Sequence, residues 1–181
     1  MHRLFVAIRP PREVRETLLD AMGGIEGARW QDDDQLHLTL RFAGELEGPQ
    51  AEDLADALAQ VAAQGFDLTV HGVGHFEKKG VAHTIWAGVA PSEGLTVLQR
   101  RVERACRSAG LPPETRRYAP HITLARLNRA SGPIGGWLAQ HALLAAGEWP
   151  VENFALFESH LAPTGPEYAR IATYPLARAQ V

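Results

Sequence analysis

A four-residue pattern that occurs twice constrains this chain more than any other feature. His37-Leu38-Thr39-Leu40 is the first copy and His121-Ile122-Thr123-Leu124 the second. Side chains alternate between the two faces of a strand, so a His and a Thr two positions apart share one face. The Leu and Ile beside them then point the other way, into a core. Each copy therefore offers an imidazole next to a hydroxyl on a rigid strand. The two histidines stand 84 positions apart, close to half of the 181 residues. The flanks agree too: Leu36 and Pro120 precede, Arg41 and Arg126 follow. One copy alone would be an ordinary half-buried strand with its polar residues in water. Two copies at this spacing point to an internal duplication, in which each half supplies one strand to a shared site.

The chain is long enough for one domain or one bilobal unit with a good core. Its 45% hydrophobic and 22% charged residues are ordinary for a globular protein. A net charge of −3 argues against a dedicated binder of long duplex nucleic acid. It leaves room for a small anionic ligand, or for an RNA end in a local basic pocket. The single cysteine, Cys106, permits no internal disulfide and fits a reducing compartment. It follows Leu95, Leu98 and Val102 at helical spacing, which reads as a buried small apolar residue rather than a catalytic thiol. No apolar run approaches the ~20 residues that span a bilayer. Leu4-Phe5-Val6-Ala7-Ile8 is too short for a signal-peptide core, and Arg9-Pro10-Pro11 ends it. A cytoplasmic location, a monomer and no contact with membrane are the expectations.

Periodicity predicts an α+β fold. Residues 3–8 read as a buried strand. Pro10 and Pro11 open a helix carrying Val14, Leu18 and Met22, which Gly23-Gly24 stops. An acidic loop at 31–34 leads into a motif strand near 36–43. A helix starts at Gly48-Pro49, places Leu54, Leu58 and Val61 on one face, and ends at Gly65. Strands at 66–75 and 82–89 are joined by the turn 77–80. A helix over 92–109, a second motif strand near 119–126 and a weaker helix after Pro133, carrying Trp137, Leu138 and Leu144, follow. Strands near 151–158 and 167–175, joined by the turn 163–166, complete the chain. Both halves thus read helix, motif strand, helix, strand, strand, with one additional strand in front. This predicts a single bilobal domain over residues 1–181, with two pseudo-symmetric lobes around a central groove.

The paired motifs resemble those of the two-histidine (2H) phosphoesterase superfamily. More narrowly, the chain resembles the bacterial and archaeal RNA 2′,3′-cyclic phosphodiesterases, historically called 2′–5′ RNA ligases. The segments that carry the likeness are 3–8, Leu36 to Phe42, Pro120 to Arg126 and Phe154 to Ser159, so it runs through nearly the whole chain. His75 and His160 are departures. The resemblance implies two α+β lobes, each an antiparallel sheet with helices outside. It implies hydrolysis of a 2′,3′-cyclic phosphate on an RNA 3′ end or a nucleotide to a 2′-phosphomonoester, with no cofactor, metal or protein partner. It carries the proton donor over to His37, the proton acceptor to His121, and the phosphate-holding groups to Thr39, Thr123 and Arg126.

The chemistry asks for these residue types. Opening a cyclic phosphodiester with water removes a proton from the nucleophile and delivers one to the leaving ribose oxygen. An unperturbed imidazole pKa of about 6.5 lets one copy be neutral and the other protonated near pH 7. Hydroxyls and an arginine suit the charge that grows on the non-bridging oxygens. The same site run backward would ligate ends through a 2′–5′ linkage, and a module that only binds RNA ends is the reading from another class. Other residues have plain readings beside functional ones. Arg41 is a solvated strand end or an RNA-backbone contact. Phe42 and Tyr118 are core aromatics or base-stacking platforms. His71 and His75 have helical zinc spacing but sit in a strand-like segment. His83 and Thr84 are adjacent and make no third motif. Lys78, Lys79, Arg116 and Arg117 are solvated loop cations or guides for RNA phosphates.

Overall fold

The computed structural model describes residues 1–178. Strand β1 (His2–Ile8) is buried from Leu4 onward. Pro11 caps helix α1 (Arg12–Asp20), which turns Val14 and Leu18 inward. The helix ends before Met22, two residues earlier than its apolar spacing suggests. A two-residue strand β2 (Arg29–Trp30) and a 3₁₀ turn at Asp33–Gln35 occupy the acidic loop. Then come β3 (Leu38–Leu46), α2 (Gly48–Ala59), β4 (Phe66–Lys78) and β5 (Val81–Val89). The β4–β5 hairpin closes on Lys79-Gly80, both at positive φ, as a two-residue turn requires. Helix α3 (Glu93–Ser108) begins at Ser92, whose hydroxyl accepts from the Leu95 amide. The second half continues with β6 (His121–Arg126), α4 (Gly135–Gln140), β7 (Ala145–Val151), β8 (Asn153–Ala162) and β9 (Gly165–Pro175).

Two differences from the sequence reading lie in the last third. The helix after Pro133 is only six residues long and does not reach Leu144. Strand β7 is absent from the prediction, because Ala-Ala-Gly-Glu-Trp-Pro-Val carries glycine and proline and little β-branched character. It is an edge strand, where a proline is tolerated.

The strands form one sheet in the order β7-β4-β5-β6-β3-β1-β8-β9, with β2 alongside β6. Every pairing between named strands is antiparallel. Between the two motif strands there is a single pair, Leu38 with Ile122. The sheet is therefore two four-stranded halves, β7-β4-β5-β6 and β3-β1-β8-β9, joined at one point. The halves do not follow the chain. The first motif strand shares its half-sheet with the β8–β9 hairpin from the end of the sequence, and the second shares its own with the β4–β5 hairpin from the middle. The extra strand in front, β1, lies between β3 and β8. Helices α2 and α3 pack on each other, α2 against β1 and β9, α3 against β3 and β4. The main core between them holds Leu38, Leu40, Ile122 and Leu124, all essentially inaccessible. Cys106 is inside as well, where burial pushes its thiol up to about 11.

Each motif strand carries a bulge at the same place. On β3, Val6 of β1 opposes Arg41 while Ala7 opposes Thr39, leaving Leu40 unpaired with β1. On β6, Ile85 of β5 opposes Ala125 while Trp86 opposes Thr123, leaving Leu124 as the extra residue. A bulge shifts the alternation by one. The residue four after each histidine, Arg41 or Ala125, is thereby turned into the protein. The residue five after, Phe42 or Arg126, returns to the face of the His and Thr.

Arg41 is thus neither a solvated strand end nor free to touch RNA. It is 9% exposed, pairs through Nε with Glu103, and donates to the carbonyls of Phe42 and Pro112. Glu103 uses its other oxygen to accept from the Glu114 amide, so the pair ties β3 to α3 and to the segment before β6. Removing one partner strands a largely buried charge. Arg41→Ala and Glu103→Ala are each expected to lower unfolding free energy by about 3 kcal/mol. The double replacement by leucines should lose distinctly less than the two singles added together. Urea unfolding checks this; fully additive losses would mean the two charges do not depend on each other.

Candidate active site

The pairing of Leu38 with Ile122 fixes what faces what. Continued by one residue on each side, that antiparallel register sets His37, just before β3, toward Thr123 and Thr39 toward His121. Directly opposed side chains begin about 5 Å apart at Cβ. The apolar partners Leu38 and Ile122 face the core, so all four motif side chains are on the other face. Two cavities flank this junction. One, of about 410 Å3, is lined by His37, Arg9, Gln35, Tyr168 and Arg170. The other, of about 440 Å3, is lined by Thr39, His121, Phe42, Phe76 and Arg117.

Each imidazole stands against aromatic rings of its own half-sheet. His37 has Phe157 at 4.5 Å between ring centres, Tyr168 at 5.5 Å and Phe5 at 5.9 Å. Phe5 and Phe157 stack with Ala7 and Ala155 in a second small core on the groove face of the sheet. His121 meets Phe76 edge-on at 4.8 Å and Trp86 at 6.3 Å. The indole of Trp86 lies directly over Gly74, its partner on β4, where any Cβ would collide with it.

The surroundings depress both histidines. Burial pushes His37 down to about 4. The Gln35 carbonyl, outside good hydrogen-bond geometry, offsets this only in part, and Arg9, Arg170 and Arg15 add to it. Neither ring nitrogen of His37 has a hydrogen-bond partner, although the residue is only 7% exposed. His121 is also lowered, by burial and then by Arg126, against the favourable Ala119 carbonyl. Its Nδ1 lies 2.7 Å from that carbonyl. A carbonyl only accepts, so neutral His121 carries its proton on Nδ1 and leaves the Nε2 lone pair free. Burial thus favours the neutral form of both imidazoles, where the sequence reading expects one neutral and one protonated.

The other predicted residues are distributed as follows. Arg126 is exposed and donates to the buried Thr84 hydroxyl at 3.2 Å, which is also 2.7 Å from His83 Nδ1. His83 and Thr84, no motif themselves, therefore steady Arg126. Arg126 lines a small cleft with Tyr168 and Gln35, which brings β6 and β9 to the same place. Phe42 is 59% exposed on the groove wall and is not a core residue. Tyr118 is tied inward instead: it packs on the core and donates to the Thr39 carbonyl at 2.8 Å. His75 pairs with Glu77, and His160 with His2 flanks Glu158. Lys78 ends β4 and Lys79 begins the β4–β5 turn, both exposed. Phe5, Phe157, Tyr168 and Arg170 escape sequence reading. Their alternation within strands is visible, but nothing in the sequence tells which strands lie beside β3.

Residues 7–162 match the model of the 2′-5′ RNA ligase superfamily. A Thermus thermophilus protein named RNA 2′,3′-cyclic phosphodiesterase is 33% identical over 186 residues, covering 96% of this chain and 90% of that one. One of the same name from Geobacillus stearothermophilus is 29% identical over 178 residues, covering 95% of this chain. This chain spans 56% of the length of that relative. The crystal structure of E. coli LigT complexed with 3′-AMP superposes with a TM-score of 0.77 at 25% identity, covering 97% of this chain and 98% of that one.

The buried imidazole makes stability depend on pH. The pKa of His37 is about 4 in the folded chain and 6.5 in the unfolded one. Between those values the unfolded chain binds more protons, so this contribution is complete above pH 6.5 and is lost as pH falls toward 4. The full loss is about 3 kcal/mol. His37→Leu removes the titration. Unfolding midpoints from pH 7 to 4 should fall less steeply for the variant than for the wild type, and parallel curves would show that His37 is not held neutral by burial.

Proposed function

The chain belongs to the 2′-5′ RNA ligase superfamily, and from that premise we propose that it hydrolyses the 2′,3′-cyclic phosphate at RNA 3′ ends to a 2′-phosphomonoester. The Leu38–Ile122 pairing carries the reading, because it gives one face two imidazoles and two hydroxyls in crossed opposition. The activity in the names of the relatives, and the nucleotide bound to the E. coli protein, support the substrate class.

Water attacks phosphorus from the His121 side. The free Nε2 of His121 takes the proton of that water as the new P–O bond forms. On the opposite side the P–O3′ bond breaks, and His37 delivers a proton to O3′. This is an in-line displacement with one base and one acid. Thr39 and Thr123 hydroxyls and the Arg126 guanidinium donate to the non-bridging oxygens, whose charge rises in the transition state. The acid must be charged before it acts. An anionic phosphate beside His37 favours its cation, and the aromatic walls, by excluding water, make that effect large. Binding of the substrate anion thus draws a solvent proton onto His37.

His37→Ala and His121→Ala should each lower kcat on a 2′,3′-cyclic nucleotide by roughly 10²–10⁴-fold. The double variant should lose less than the product of the two, since groups acting together are not additive. A folded single variant with near-normal turnover would remove that histidine from the mechanism. The product should carry a 2′-phosphate, identified by phosphorus NMR against authentic standards. A predominant 3′-phosphate would exchange the two histidine roles.

A further inference from the structure

Away from the motif face, positive charge is concentrated in one stretch. Residues 98–117 hold six arginines and two glutamates, a balance of +4 in a chain whose total is −3. Both glutamates are engaged, Glu103 by Arg41 and Glu114 by Arg116. Arg100, Arg104 and Arg107 on α3 are exposed. Among the described residues none of the three forms an ion pair. With 3.6 residues per turn they fall within a sector of about 60°, and they span about 10 Å along the axis. The opposite face buries Leu95, Leu98, Val102 and Cys106. Like charges at i, i+3 and i+4 weaken a helix on their own. An anion laid along them turns that cost into attraction.

The stripe meets the groove at its N-terminal end. Arg100 lines a cavity of about 640 Å3 together with Arg117 and Tyr118. Arg117 and Tyr118 also line the cavity that holds Thr39 and His121. A cationic path therefore runs from His121 past Arg117 to Arg100, Arg104 and Arg107. Its base is firm, because α3 packs on α2, β3 and β4. Exposed Phe42 and half-buried Phe76 stand on the walls where the path begins.

We propose that the outer face of α3 carries the phosphates of the RNA strand that leads to the reacting end. The inference rests on the proposed activity for the end that enters the groove. A single-file row of guanidiniums suits one phosphate backbone, which arginine grips in pairs of hydrogen bonds. A cyclic mononucleotide fills the groove alone, whereas a longer strand gains the stripe.

The test compares wild type with R100Q/R104Q/R107Q on two substrates. One is a 2′,3′-cyclic mononucleotide, the other an RNA of about twelve nucleotides ending in the cyclic phosphate. The triple variant should keep mononucleotide turnover and raise KM for the longer RNA about tenfold at low salt. The slope of log KM against log salt for that RNA should fall by about 2, the share of three phosphate contacts on a single strand. Fluorescence anisotropy with a labelled RNA of the same length ending in 2′-phosphate reads the surface without any chemistry. Weaker binding by the variant supports the track even if neither protein turns over, which would sink only the hydrolase reading. Equal affinity of the two proteins for this RNA overturns the proposal.

Discussion

Leu38 and Ile122 meet across the centre of the sheet, and among the described residues theirs is the one pairing between named strands of its two halves. Both side chains are wholly inaccessible, packed with Leu40 and Leu124 under α2 and α3. This contact sets the register of the site. A slip of one residue by either strand would turn its Leu38 or Ile122 into the groove and its motif histidine into the core. Each exposed aliphatic side chain would cost about 2 kcal/mol, and each imidazole would be buried without a partner. The apolar half of each motif therefore positions the polar half. Beyond the single pair the two strands are free to diverge, which leaves space for a ligand between the walls.

The two motif strands are most alike where they are least regular. Both motif strands bulge three residues after the histidine, and both send the residue two further on back to the groove face. In one strand that residue is Phe42, in the other Arg126. The same backbone device thus delivers an aromatic surface to one side and a cation to the other. A site built from two nearly identical strands acquires a direction at this position. The aromatic lining departs from symmetry as well, since His37 is shut in by three rings and His121 by two, with a carbonyl to hold its proton.

The element types and the pairing of the motifs were legible because the signals are local. Alternation gives the strands, and Ser92 and Pro11 mark helix starts. What the sequence hides is non-local. The exchange of hairpins between the halves cannot be read from periodicity, and with it goes the aromatic box around His37, which draws on β1, β8 and β9. The bulges are hidden for another reason. Arg41 and Phe42 follow Leu40 as they would in a regular strand, so strict alternation assigns the arginine to the groove and the phenylalanine to the core. The structure reverses both. Edge strand β7 is held by its neighbour β4 rather than by its own propensity, so composition understates it.

The proposed chemistry then turns on how unlike the two imidazoles are. His121 has its tautomer fixed by the Ala119 carbonyl and stays neutral, which are the two properties a base needs. His37 is the more deeply desolvated, carries no hydrogen bond on either nitrogen, and sits well below the ordinary histidine range. A group held at about 4 is a poor acid reservoir at neutral pH but a strong acid once charged. In the proposed mechanism its charge arrives with the phosphate, so binding of the anion and uptake of a proton are one event. The burial that makes His37 costly to protonate also excludes the water that would screen it from the anion. An acid of this kind is armed only when substrate is present, and it gives up its proton readily when O3′ departs.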